Sequence, residues 1–203
     1  MSSTNRSNSR DTHISDYYIT PHKPIKDLFT AMNKLPEFAN LFTFDGKFKP
    51  YLQFLDCCAG GDNKYPMSYP YVLSQFGVPI GNINSIDIRP DSKANVIDNF
   101  LTIKKQNQIP QITITNPPFN LAQEIITKAL SEVHPDGFVI MLLRLNFFGS
   151  QKRKQFWQDN MPIVTFVHRE RISFTNGATD SIEYMHCIWS SKIKQNHTKL
   201  III

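Results

Sequence analysis

"QITITNPPFN", residues 111–120, sets an alternating isoleucine and threonine run against an Asn-Pro-Pro-Phe turn. β-Branched residues favour strands, and two adjacent prolines end one. Proline fixes φ, donates no backbone hydrogen bond and holds the residue before it extended. Asn116 and the carbonyl of Pro117 are therefore held rigidly at a strand end, with acceptor oxygens free to face a ligand. A plain strand terminator is the alternative, since two prolines stop a strand whatever follows.

The flanking segments extend the pattern. "YLQFLDCCAGG" (51–61) predicts a short strand running into a glycine turn, "INSIDIRPDS" (83–92) a strand ending in acid and proline, and "NVIDNF" (95–100) a third. "LAQEIITKALSEV" (121–133) puts Leu121, Ile125, Ala129 and Leu130 on one helical face, and "GFVIMLLRL" (137–145) is a continuous apolar strand. "GSQKRKQFWQDN" (149–160) predicts a basic helix, and "PIVTFVHR" (162–169) and "SIEYMHCIWS" (181–190) two more strands. Upstream, Thr20-Pro21 resembles a helix start, followed by Ile25, Leu28, Phe29 and Met32 at helical spacing. The closing "KIKQNHTKLIII" is too short and polar to assign. Alternating strands and helices predict an α/β protein with a mostly parallel central sheet flanked by helices.

With 203 residues, 41% hydrophobic and 19% charged, the chain has the balance of one globular domain, here residues 16–203. Residues 1–15 have little to bury and are expected to form a flexible arm. No apolar run is long enough to cross a bilayer, and the start lacks the apolar stretch of a signal peptide, so an intracellular, cytoplasmic protein without membrane partners is expected. Three cysteines, two of them adjacent, and six scattered histidines offer neither a disulfide framework nor a metal-ligand spacing. A net charge of +5 and a pI near 9.1 suit a polyanionic partner, although many basic proteins bind no nucleic acid.

Ligands of open parallel sheets bind outside the carboxyl ends of the strands, where the informative residues fall. The first strand ends at Asp56, Ala59, Gly60 and Gly61, a turn that admits close approach of a ligand or simply reverses the chain. The second ends at Asp87, whose carboxylate suits a ribose diol or merely faces water. At the fourth, the Asn116 side-chain oxygen and the Pro117 carbonyl can hold both N–H bonds of a conjugated amine. That grip favours the tetrahedral nitrogen that develops on alkylation. Phe119 offers a face on which a planar base can stack.

The order "LDCCAGG", "SIDIRPD", "VIDNF", "TNPPF" resembles the S-adenosylmethionine-dependent DNA N6-adenine methyltransferases, particularly the small phage-type enzymes. "DYYITP", "LLRLNFFGSQKR" and "ERISFTNGATDSIEYMHCIW" resemble further motifs of that family, so the likeness spans residues 16–190. It implies a Rossmann-like class I methyltransferase fold, S-adenosylmethionine as cofactor and DNA as partner. It further implies that Thr20 and Pro21 border the methionine end of the cofactor beside Asp56, Ala59 and Gly60. Asp87 would hold the ribose and Asp98 the cofactor's adenine amine. Asn116, Pro117, Pro118 and Phe119 would form the catalytic turn, with Asn116 also beside the cofactor. Phe174 resembles the aromatic that stacks on the target base's other face, or is an ordinary core residue. No metal is implied.

Two departures stand out. Asp62 occupies the place of a glycine common in the family, and no stretch is large enough for a separate target-recognition domain. Recognition is then left to the loops 61–70 and 175–181, to the basic helix with Lys152, Arg153 and Lys154, or to a second subunit of a homodimer. Lysine and arginine there would contact phosphates and position without specifying sequence, or form a solvated face. Rival readings are the same chemistry on an RNA base or a glutamine side chain, and a non-catalytic nucleic-acid-binding protein on the same scaffold. Cytosine N4 enzymes usually begin this turn with serine, which Asn116 contradicts.

Overall fold

The computed structural model describes residues 18–105, 108–174 and 182–203. The expected arm (1–15) and the candidate recognition loop 175–181 lie outside the described residues.

Among the described residues, eight strands form one sheet: β1 (Phe54–Asp56), β2 (Ile83–Asp87), β3 (Val96–Ile97), β4 (Ile112–Thr115), β5 (Phe138–Arg144), β6 (Val164–Val167), β7 (Tyr184–Ser190) and β8 (Lys199–Ile202). Their spatial order is β3-β2-β1-β4-β5-β7-β6-β8. All neighbours pair in parallel except β7, which is antiparallel to both β5 and β6. The order reverses between β1 and β4, whose carboxyl ends carry the glycine turn and the Asn-Pro-Pro-Phe turn. In an open α/β sheet that switch point is where a crevice forms.

Helices α1 (His22–Met32) and α2 (Ser68–Gln75) cover one face, and α3 (Ala122–Glu132) and α4 (Lys154–Asp159) belong to the other. The α1 stripe is core as its spacing requires, with Ile25, Leu28, Phe29 and Met32 fully buried against Phe48 and Phe54. Phe29 meets Phe48 edge-on at 4.9 Å and Phe76 at 5.2 Å, and removing such a ring costs about 3–5 kcal/mol. Strand β5 alternates between the layers: Ile140 joins the α1–α2 core, Val139, Met141 and Leu143 the α3–α4 core.

Three expectations are corrected, and one unassigned segment finds its place. The stretch 68–70, expected as loop, begins α2, because Tyr69 is buried and its hydroxyl meets His186 Nε2 at 2.9 Å. The expected third strand shrinks to Val96–Ile97. The basic helix is broken into a 3₁₀ turn, Gln151–Arg153, and the short α4. The unassigned tail forms β8 on β6: Ile201 and Ile203 pack on the core while Leu200 and Ile202 are exposed, the period of two that a half-buried strand demands.

Candidate active site

The carboxyl edge at β1, β2 and β4 encloses a cleft of about 950 Å³ including its open mouth. Its walls are Tyr18 to Thr20, the turn Cys57 to Gly61, Ser68 and Tyr69 of α2, Asp87 to Arg89, Asn99 to Leu101, and Asn116 to Phe119. Gly60 and Gly61 have φ of +64° and +73°, a region disfavoured for residues with a side chain. A Cβ on Gly61 would also fall 2.6 Å from Met67 Cγ.

Asp87 closes this turn. Its Oδ2 accepts from Gly60 N–H at 2.6 Å and its Oδ1 from Arg89 N–H at 2.9 Å. The Arg89 guanidinium, buried beside it, pairs with Asp87 and Asp91 and donates to Gly61 O at 2.8 Å. Asp62 fits where a glycine was expected: its Oδ1 accepts from the backbone of Lys64 at 2.7 Å and Tyr65 at 2.8 Å, an Asx turn. The aspartate shapes the loop and leaves the glycine turn intact.

On the β4 side, Asn116 Nδ2 donates to Thr20 Oγ1 at 3.1 Å, which fixes the amide and ties the segment before α1 to the turn. Asn116 Oδ1 is buried and has no hydrogen-bond partner. Such an acceptor is costly unless a ligand supplies the donor. Phe119 packs with Phe174 and Ile182 against Leu142, Ile172 and Tyr184. Tyr184 stands 5.9 Å from the Phe119 ring and 4.9 Å, edge-on, from Phe174. The Arg144 guanidinium lies 4.4 Å from the centre of the Phe119 ring.

Two buried polar groups underlie the cleft. Asp56 is completely enclosed, its Oδ1 accepting from Cys58 N–H at 3.3 Å, with the buried Thr115 hydroxyl beside the carboxyl. Burial, helped by the charge on Asp87, pushes its carboxyl up to about 7. Beside α2, Tyr69, His186 and His168 form a hydrogen-bonded chain, the histidine nitrogens 2.7 Å apart. Burial holds His168 down to about 4 and, with His168 beside it, pushes His186 well below the ordinary imidazole value, so both are neutral near pH 7.

No protein-family model and no curated protein matches the sequence. Solved structures do match. A Listeria monocytogenes protein, provisionally described as a class I S-adenosylmethionine-dependent methyltransferase, superposes with a TM-score of 0.60 over 91% of this chain, at 11% identity. The M protein of the type I restriction enzyme EcoKI gives 0.52 over 75% at 12% identity, and the 23S rRNA methyltransferase ErmE 0.51 over 89% at 11%. The chain has the class I methyltransferase fold. It spans 65% of the Listeria protein, 44% of the EcoKI M protein and 72% of ErmE.

Within this methyltransferase fold the expected residues divide. Thr20, Ala59, Gly60, Asp87, Asn116, Pro117, Pro118 and Phe119 all line the cleft. Asp56 lies beneath its floor. Pro21 instead caps α1 and faces a different cavity. Asp98 is exposed and accepts from Asn99 N–H, and it is Asn99 and Phe100 that line the cleft. Phe174 packs on Tyr184 and Tyr18 outside the lining. Arg153 has its guanidinium 4.0 Å over Phe147 and donates one hydrogen bond to Phe147 O, while Lys152 and Lys154 beside it are exposed. Arg89, Tyr69 and Arg144 were not foreseen; "IDIRPD" held a signal for Arg89 in its alternating charges. Among the described residues no helix is long and apolar enough to cross a membrane, and no side-chain cluster could hold a metal ion.

Proposed function

We propose that this chain transfers a methyl group from S-adenosylmethionine to the N6 amine of adenine in DNA, taking a base that is extruded or single-stranded. The observation that carries the reading is Asn116 Oδ1, a buried acceptor without a partner, fixed by Thr20 at the lip of the cleft.

The residues present fit the cofactor. The positive-φ glycine turn at the cleft wall admits close approach of the cofactor to the backbone. Asp87 keeps acceptor capacity beyond the hydrogen bond each oxygen already makes, so the turn and a ribose share it. When bound, the cofactor supplies an electrophilic methyl group on a sulfonium. Asn116 Oδ1 and the Pro117 carbonyl would accept hydrogen bonds from the two amine N–H groups and draw the nitrogen lone pair out of conjugation; the N–C bond would form as the S–C bond breaks, and one N–H proton would then pass to solvent. Phe119 holds the base plane. Catalysis is then positioning for in-line displacement, with no covalent enzyme intermediate.

DNA is favoured over RNA by the motif resemblance and over a protein substrate by the basic charge and by Phe119, where the glutamine enzymes commonly have tyrosine. The fold itself does not choose, since an rRNA methyltransferase shares it. The test supplies cofactor with duplex and single-stranded oligonucleotides of several sequences and digests them to nucleosides. N6-methyladenine above the no-enzyme control is expected. Methylation of another position would refute the reading.

A further inference from the structure

Arg144 ends β5 beside Tyr184 of β7 and is half-buried, with its Nε shielded from solvent. Among the described residues its guanidinium has no ion pair and no hydrogen bond, and it lies over the ring of Phe119. Arg89, Arg153 and Arg171 each have acceptors within the chain. A guanidinium carries five donors in a fixed fork, and a shielded donor without an acceptor marks a place that a ligand completes.

Register says what reaches it. Thr115 of β4 pairs with Met141 of β5, so Asn116 lies level with Leu142 and Arg144 stands two residues further out, roughly 7 Å at strand rise. Phe119 lines the cleft and Arg144 does not. A base held by its amine at Asn116 and stacked on Phe119 directs its sugar and phosphate outward, toward the level of Arg144. A guanidinium on the ring of Phe119 is not coplanar with a base stacked on that ring, so its donors are poorly placed for the base edge.

We propose that Arg144 is the phosphate clamp of the target nucleotide, binding a phosphodiester that flanks the base through its fork while its plane braces Phe119. The inference rests on the nucleic-acid reading above and adds to it a substrate-contacting residue.

The test measures binding and methylation for the wild type, Arg144→Met and Arg144→Lys on the shortest oligonucleotide that the wild type methylates. Matched oligonucleotides carry a neutral methylphosphonate on one or the other side of the target adenine. Arg144→Met is expected to weaken DNA binding about tenfold and to lower the slope of log affinity against log salt by about 0.7 on a single strand or 0.9 on a duplex, one phosphate's worth. Arg144→Lys keeps most of that slope. On one of the two methylphosphonates the wild type should lose the same factor and Arg144→Met nothing further. Cofactor affinity and melting temperature, which report folding, should stay at wild-type values. A wild type that methylates DNA while Arg144→Met matches it, or loses affinity without a change in salt slope, overturns the clamp alone. A wild type that binds no nucleic acid overturns the clamp together with the reading beneath it.

Discussion

Replacing Asp56 by asparagine should remove a pH dependence of stability that the buried carboxyl creates. Asp56 is fully enclosed and burial raises it from 3.8 to about 7. The folded protein then keeps a proton that the unfolded chain releases near pH 4. The stabilisation is complete below pH 3.8 and is lost as pH rises through about 7. About three pH units at about 1.4 kcal/mol each gives about 4 kcal/mol. Urea unfolding of the wild type and Asp56→Asn at pH 5 and pH 8 should show the wild type losing most of that amount relative to the variant, which does not ionise. A stability difference that does not change between the two pH values would refute the reasoning.

Asn116→Ala should lower kcat at least about 100-fold, the scale of removing one preorganised transition-state partner, with cofactor affinity by calorimetry changing far less. Gly61→Ala should weaken cofactor binding and lower the melting temperature, since a Cβ would meet Met67 at 2.6 Å on a backbone with φ of +73°. His168 predicts acid sensitivity of opposite sign to Asp56. Burial holds it at about 4 against 6.5 when unfolded, so its contribution is whole above pH 6.5 and is lost as pH falls through about 4. The wild type should lose about 3 kcal/mol over that range, and His168→Gln, followed by urea unfolding, should flatten the slope.

The sheet was legible because its strands carry their own signals: apolar runs at β1, β2 and β4, each ended by acid or an Asn-Pro-Pro turn, and a long apolar run at β5 that begins after Pro135-Asp136-Gly137. The lining of the candidate cleft was legible for the same reason, since Gly60, Asp87 and Asn116 sit where those strands end. What escaped depends on partners far along the chain. Helix α2 follows a stretch with Gly, Asn and Pro and carries Pro70 in its first turn, which is anchored by Tyr69 on His186, 117 residues away. Strand β8 has only four residues, too few for periodicity, and exists because β6 offers a free edge. Arg153 and Arg144 look alike in "LLRLNFFGSQKR"; only packing shows that one is engaged by Phe147 and the other lacks an acceptor. Asp98 lies just outside the cleft lining, because the short β3 ends at Ile97 and it is Asn99 that faces the cleft.

The central claim meets its most direct test when the protein receives methyl-labelled S-adenosylmethionine with unmethylated DNA, RNA and protein together. The polymers are then separated and digested, and the labelled residue is identified by mass spectrometry. Label on N6 of deoxyadenosine, abolished by Asn116→Ala, is the predicted result. Label confined to RNA or protein, or label that survives the loss of Asn116, would contradict the account.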